Sequence, residues 1–591
     1  MITVAISGLG GRGKDTYAKC QHLFPERMKI VAIADIIPEK VEEVCREYQV
    51  APQMCFNSAE EMLEKEKLAD VMFICTHDRQ HYGHAMKALE RGYDLLLEKP
   101  ISPVLSECRE IEAAAGKFGR KVVVCHVLRY TPFYQFLHET IASGKIGKIA
   151  TIQAVENVGY WHQAHSFVRG NWRNSDLSSP MILQKSCHDM DILLWLSGQK
   201  CKYISSFGSL LHFKAENAPE GAAERCVDCA IQEKCPYDAY KIYITREGTG
   251  VRHGHTDWPA NIVVSHPTEE RVREVLAVSP YGSCVYHCDN NVVDHQVVNM
   301  EMEDGSSMSF TMSAFNNGGR TIKIMGTLGE IVGDMNAKRV EITVFGQPTE
   351  VVDISTLSED FSGHGGGDNR LVLDLLDMAE GKEGQALTSI EKSMEIHYMA
   401  LAAEYSRLHH GQVIDVAEFA KGRLEPELVP VTERDVTELA EFAQDVWHEH
   451  YDQLLGKAQV DYMVDKFQSA AAVTKQLAGG YEYYAIKDQS TGDMLGFCGI
   501  HPEPEEQRLF LSKLYIGAPY RRKGLASKTM TFLESYCHKI GADRIWLTVN
   551  KHNYGSIAAY LQFGFEITRT EVTDIGSGYV MDDYIMEKRI E

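Results

Sequence analysis

Ile2-Thr3-Val4-Ala5-Ile6-Ser7-Gly8-Leu9-Gly10-Gly11-Arg12-Gly13 is the stretch whose reading decides the fold class. Its first half is a β-branched, apolar run of the kind that makes a strand buried on both faces, and it leads directly into a glycine turn. A helical stretch, residues 14–24, follows. A second apolar run, Ile30-Val31-Ala32-Ile33-Ala34, ends at Asp35, about 20 residues past the last glycine. A lone glycine motif is weak, because any tight turn can match it. Strand, turn, helix, strand and acid in this order form the dinucleotide fingerprint. Gly8, Gly10, Gly11 and Gly13, with Arg12 among them, permit the turn and close approach of a pyrophosphate, and the helix start supplies N–H donors. Asp35 is placed to hold a ribose diol, which favours NAD over NADP.

Composition narrows the partners. The net charge is −23, from 60 basic and 83 acidic residues, a field that repels nucleic acid and anionic membrane and points to small-molecule ligands. No apolar run approaches the roughly 20 residues that span a bilayer, and no basic leader precedes the first strand, so neither membrane nor export is expected. Fifteen cysteines then read as reduced thiols of a cytosolic protein.

Two more strand-like runs, residues 71–75 and 93–97, continue the pattern, the second ending in Glu98-Lys99-Pro100. With Gly8-Leu9-Gly10-Gly11-Arg12-Gly13, Thr76, His81, Arg129 and His188-x-x-Asp191 followed by Trp195-Leu196, the chain resembles the glucose-fructose oxidoreductase/inositol dehydrogenase/MocA family over roughly residues 1–420. The resemblance implies an N-terminal Rossmann domain and an α+β substrate domain with an open mixed sheet. It also implies a cis bond before Pro100, and homo-oligomers in which the open face of the sheet is covered by another subunit. Thr76, His81, Glu98 and Lys99 would contact the cofactor, and Arg129 and Asp191 would lie on the substrate side. Oxidation of a carbinol needs a group to take the hydroxyl proton and one to stabilise the developing alkoxide. Lys99, at the carboxyl end of a parallel strand, and His188 are the catalytic candidates. Many family members have an aspartate four residues before this histidine. Here Gln184 stands in its place, followed by Lys185, which either binds substrate or is merely solvated.

The run Gly159-Tyr160-Trp161-His162-Gln163-Ala164-His165-Ser166-Phe167-Val168-Arg169-Gly170-Asn171-Trp172 mixes aromatic faces with polar edges, which suits a sugar or cyclitol ring. Tyr160, His162, His165, Arg169 and Trp172 are its candidate substrate contacts; an ordinary lid packed into the core would read the same. His126 and the loop His364-Gly365-Gly366-Gly367-Asp368 are further candidates for the cleft wall. Cys226-x-x-Cys229-x5-Cys235-Pro236, with Cys284 as fourth ligand in preference to Cys288, reads as a structural zinc site. An iron–sulfur cluster and unmetallated thiols are the other readings.

Residues 422–430, with Gly422, Pro426 and Pro430, read as a linker. It separates residues 1–125 and 126–421 from a second α/β pattern at 431–591. There the turn Arg521-Arg522-Lys523-Gly524-Leu525-Ala526 opens a helix, and the run Asn550-Lys551-His552-Asn553-Tyr554 leads to Tyr560 and Gly564-Phe565. This part looks like the GNAT acetyltransferase superfamily. The resemblance implies that Arg521, Arg522, Lys523, Gly524 and Ala526 hold the pyrophosphate of acetyl-CoA, that Asn553 contacts CoA, and that Tyr560 protonates the departing thiolate. The acceptor is expected to be an amine. His501, Glu503 and Glu505 are candidates to take its proton, and Asp582 and Asp583 to attract it.

Overall fold

The computed structural model describes all residues except 383–385, 422–425, 490–491, 522–523 and 591. The chain forms two compact units, Met1–Gly422 and Arg423–Glu591. The first begins with six parallel strands, β1 (Ile2–Ser7), β2 (Met28–Ala34), β3 (Cys55–Phe56), β4 (Val71–Ile74), β5 (Asp94–Leu97) and β6 (Val122–Val124). They lie in the order β3-β2-β1-β4-β5-β6. The order reverses between β1 and β4, and the crevice beyond their carboxyl ends is where such a sheet receives a ligand. Both faces are covered, which is why these strands read as unbroken apolar runs. One face is completed from far along the chain: Leu371, Val372, Leu375 and Leu376 of the helix Gly367–Ala379 join Val4, Ile6 and Phe73 in one core. The boundary at residue 125 therefore divides the sequence, not the core.

Nine strands follow: β7 (Ile149–Asn157), β8 (Cys201–Ser209), β9 (His295–Met302), β10 (Ser307–Ser313), β11 (Gly319–Gly326), β12 (Gly329–Asp334), β13 (Arg339–Val344), β14 (Glu350–Asp353) and β15 (Ile414–Asp415). They form one sheet in the order β14-β13-β12-β11-β7-β10-β9-β8-β15. Only β7 and β10 pair in parallel, so the sheet is mixed. The helices Cys187–Ser197 and Ile390–Leu408 pack on one face. On the other, Phe207, Val297 and Val332 stay exposed. Between β8 and β9 an insertion builds its own core from Phe213, Cys226, Tyr240, Tyr243, Leu276 and Tyr286, against Ala164 and Val168.

The second unit has seven strands: β16 (Pro426–Pro430), β17 (Glu482–Asp488), β18 (Met494–Glu503), β19 (Arg508–Ile516), β20 (Arg544–Asn550), β21 (Glu566–Gly576) and β22 (Tyr579–Arg589). Their order is β16-β17-β18-β19-β20-β22-β21. Of the expected linker, residues 422–425 lie outside the described residues, and Pro426–Pro430 is an edge strand paired with β17. Proline is tolerated on an edge because one row of donors faces away from the ladder. β19 and β20 pair in parallel only at Arg508–Phe510 with Arg544–Trp546. Past that point they separate, and the backbone of β19 is open on that side.

Two candidate active sites

The four glycines of the first turn are not equivalent. Gly8 has φ +86°, and a Cβ there would lie 2.5 Å from the Cys75 oxygen; one at Gly13 would lie 1.9 Å from the Gly8 oxygen. Close packing of strand, turn and helix explains both. At Gly10 a Cβ would meet nothing within 4 Å, so the fold itself does not require glycine there. Asp35 Oδ2 accepts from Leu9 N at 2.5 Å and Oδ1 from Ile37 N at 2.9 Å, which ties the end of β2 to the turn and leaves lone pairs for a diol.

Several of the expected cofactor contacts have partners within the chain. Arg12 donates to Glu98 Oε1 at 2.6 Å and to Asp368 Oδ1 at 2.7 Å, with Tyr17 as a third partner; its guanidinium ties the turn to the loop after β5 and to the helix Gly367–Ala379. Burial pushes the Glu98 carboxyl up, but the Arg12 and Lys99 charges and the Tyr17 hydroxyl outweigh it and leave it below the usual carboxylate range. His81, 1% exposed, is spent on the Pro100 and Thr76 carbonyls at 2.7 and 3.1 Å. The Thr76 hydroxyl pairs with His84 at 3.0 Å.

The Lys99–Pro100 peptide is cis, and Lys99 Nζ donates to the Gln184 backbone oxygen at 2.5 Å. The departure noted at position 184 therefore leaves the lysine anchored, because the anchor is main chain. His188, 4% exposed, begins a cluster of imidazoles: His364 is 5.8 Å and His126 6.2 Å away, centroid to centroid. Burial first, then the Lys99 charge, push the His188 pKa far down, so the ring is neutral at pH 7. Lys185, its side chain 18% exposed, places Nζ 3.4 Å from Glu156, which Arg320 also binds at 2.6 Å while reaching Asp189 at 2.8 Å. Arg129 and Asp191, expected on the substrate side, pair with each other at 2.6 Å and are buried.

The aromatic run divides. Burial first, then the Lys185 charge, push the His162 pKa down, and the ring packs on Trp258 at 4.8 Å; Tyr160 lies near Tyr237 and Arg246. Trp172 packs against the core of the second sheet. His165 bonds Tyr243 at 2.8 Å and stacks on Tyr281, and Arg169 bonds Ser283 O, Tyr237 O and Cys226 Sγ at 2.7, 2.8 and 3.5 Å. These last two serve the insertion. There Cys226, Cys229, Cys235 and Cys284 line one cavity of about 20 Å³, room for one ion or one water. Among the described residues no carboxylate is hydrogen-bonded to Arg169, 2% exposed, though Cys226 and Asp238 lie close enough to act on its charge. The expected zinc cage is nevertheless not closed. Among the described residues, the group whose ligand atoms all lie within 4.8 Å of one another is a different one: His126, Cys187 and His188. All fifteen cysteines are free thiols.

In the second unit Gly524, at φ +82°, leads into the helix Leu525–Ile540, with Ala526 in its first turn. Arg522 and Lys523 lie outside the described residues. Arg521 bonds Glu449 at 2.5 Å. Asn553 caps the helix Tyr554–Gln562 by accepting from Ser556 N at 3.3 Å, and donates to the Tyr451 hydroxyl at 3.2 Å. Tyr560 packs on Phe565, and burial pushes its phenol up, so it stays protonated. Of the proton acceptors, His501 and Glu503 fall inside β18. Glu503 is taken by Arg508 and Trp546 at 2.5 and 3.0 Å. Asp583 is 6% exposed; burial, then the Asp582 and Glu571 charges, push its carboxyl up to about 6.

A parallel nucleotide-binding sheet, with lysine and histidine near its carboxyl ends, joined to a mixed sheet defines a dehydrogenase-like enzyme, and the sheet of the second unit an acyl-transfer unit. Residues 2–126 match the oxidoreductase family, NAD-binding Rossmann fold, and 138–407 its C-terminal alpha/beta domain. Residues 441–565 match the acetyltransferase (GNAT) family. The chain belongs to this oxidoreductase family and carries a GNAT acetyltransferase domain. The oxidoreductase YteT of Bacillus subtilis is 25% identical over 395 residues, 64% of this chain and 88% of that one. An inositol 2-dehydrogenase of Pseudomonas savastanoi is 24% identical over 33% of this chain and 54% of its own. An inositol dehydrogenase homolog complexed with NAD+ from Azotobacter vinelandii shares the fold of the first unit, with TM-score 0.50 at 16% identity over 70% of this chain and 97% of that one.

Proposed function

We propose that the first unit oxidises a hydroxyl of a sugar, glycoside or cyclitol with NAD, and that the second transfers an acetyl group from acetyl-CoA to an amine. The observation that carries the first half is Lys99, held on the Gln184 carbonyl close to neutral His188 at the rim of the ligand crevice. When bound, NAD supplies the hydride acceptor and acetyl-CoA the activated acyl group. His188 takes the hydroxyl proton while Lys99 donates to the oxygen as its charge grows, and a carbonyl is left. Asp35, with Ile36 (78% exposed) and Ile37 beside it, suits a ribose diol and offers no cation to a 2′-phosphate. In the second unit the amine displaces the thiolate, Tyr560 protonates the sulfur, and Asp583 receives the ammonium proton.

A second reading keeps NAD bound through turnover, with transient oxidation promoting glycosidic cleavage. It is favoured by the insertion, whose Asn261 bonds Asp15 at 3.0 Å and whose Ile262 side chain lies 3.9 Å from where a Gly11 Cβ would be, so that it reaches over the cradle. Turnover of polyols and glycosides, with NADH followed at 340 nm, separates the two. One NADH per product supports the dehydrogenase; cleavage with no net NADH selects recycling.

A further inference from the structure

His126 follows β6, and Cys187 and His188 open the helix Cys187–Ser197. Sixty-one positions separate the first from the pair, so no short-range motif joins them; the fold does. All three are buried, at 0%, 0% and 4% exposure, and one ligand atom from each lies within 4.8 Å of the others. Neither nitrogen of His126 has a hydrogen-bond partner among the described residues, nor does His188 Nδ1. An unpaired buried polar atom costs on the order of 1–3 kcal/mol, so three in one place need a counterpart.

We propose that His126, Cys187 and His188 form a binding site for a divalent transition ion of the zinc class in the floor of the oxidoreductase cleft. Imidazole and thiolate select zinc, cobalt and their neighbours over magnesium or calcium, whose preference is oxygen. Three protein ligands leave a tetrahedral ion one further position, the arrangement of catalytic rather than structural sites. Cys187 loses its proton on binding, and the thiolate offsets half the ion's charge. The site lies three residues past Gln184, whose carbonyl holds Lys99, so the ion is a candidate to polarise the hydroxyl assigned above. That part of the inference rests on the dehydrogenase reading and replaces one role in it: a metal-bound His188 no longer takes the hydroxyl proton, and Lys99, as the neutral amine, takes it in its place.

The test is titration of chelator-treated full-length protein with Co²⁺, counting bound metal and following the thiolate-to-cobalt absorption in the near ultraviolet. Cys187→Ser and His126→Asn, each checked for an unchanged melting temperature, are compared with the unaltered chain, and Cys229→Ser reports on the four-cysteine cavity separately. Loss of one Co²⁺ per chain in both Cys187→Ser and His126→Asn, independent of Cys229→Ser, is expected. The same number of ions in Cys187→Ser and His126→Asn as in the unaltered chain overturns the site, whatever Cys229→Ser binds. NADH formation at full rate by metal-free protein overturns the ion's part in the reaction and leaves the dehydrogenase standing. Loss of the ion in the variants, with no NADH from any polyol tried, keeps the site and removes the dehydrogenase reading.

Discussion

Lys99 and Gln184 show how much of this site is main chain. The lysine is held by the Gln184 carbonyl, which any residue would supply. Gln184→Ala is therefore expected to keep NADH formation within a few-fold of the unaltered chain, whereas Lys99→Met should lower it by about 10²–10⁴-fold, the usual worth of a positioned proton-handling group. Steady-state rates on one polyol decide it, and a Gln184→Ala collapse to the Lys99→Met level would show that the side chain matters. At this scale the sequence marks which residues carry chemistry but not what they touch. Arg129 and Asp191 look like substrate contacts in the chain and are each other's partners in the fold. Arg12 sits in a phosphate motif and points its charge at Glu98 and Asp368, the latter 356 positions away.

The glycine turn is an element whose parts answer to different demands. Gly13→Ala places a Cβ 1.9 Å from the Gly8 oxygen and should lower the melting temperature by several degrees whether or not NAD is present, since backbone must shift to relieve it. Gly10→Ala meets nothing within 4 Å and should melt like the unaltered chain, yet bind NAD at least about tenfold more weakly because the pyrophosphate approaches there. Paired melting curves with and without NAD separate the two. Equal stability of both variants would refute the packing account of Gly13. The strand and turn pattern was legible because period and glycine placement are local. The separation of β19 from β20 was not, because it depends on strands paired from different parts of the chain.

The whole molecule holds two units with separate cores, so calorimetry should show two transitions. NAD is expected to raise one and acetyl-CoA the other. At a concentration of 100 Kd a ligand adds about 2.7 kcal/mol, a shift on the order of 5–10 °C for the smaller unit. One transition moved by both ligands would contradict independent units. No helix among the described residues is long and apolar enough to cross a membrane.

By itself the sequence determined the dinucleotide fold, because strand periodicity, a glycine turn and an acid about 20 residues on are short-range signals that survive without any contact information, and it carried the motifs by which residues 431–591 resemble GNAT enzymes. It also marked Lys99, His188 and Tyr560. Only the tertiary structure decided which charged groups are spent on one another. It brought His126 to Cys187 and His188, and it completed the first core with a helix from residues 367–379. Those are outcomes of burial, in which a polar group must find a partner wherever the fold places one, however distant in the chain.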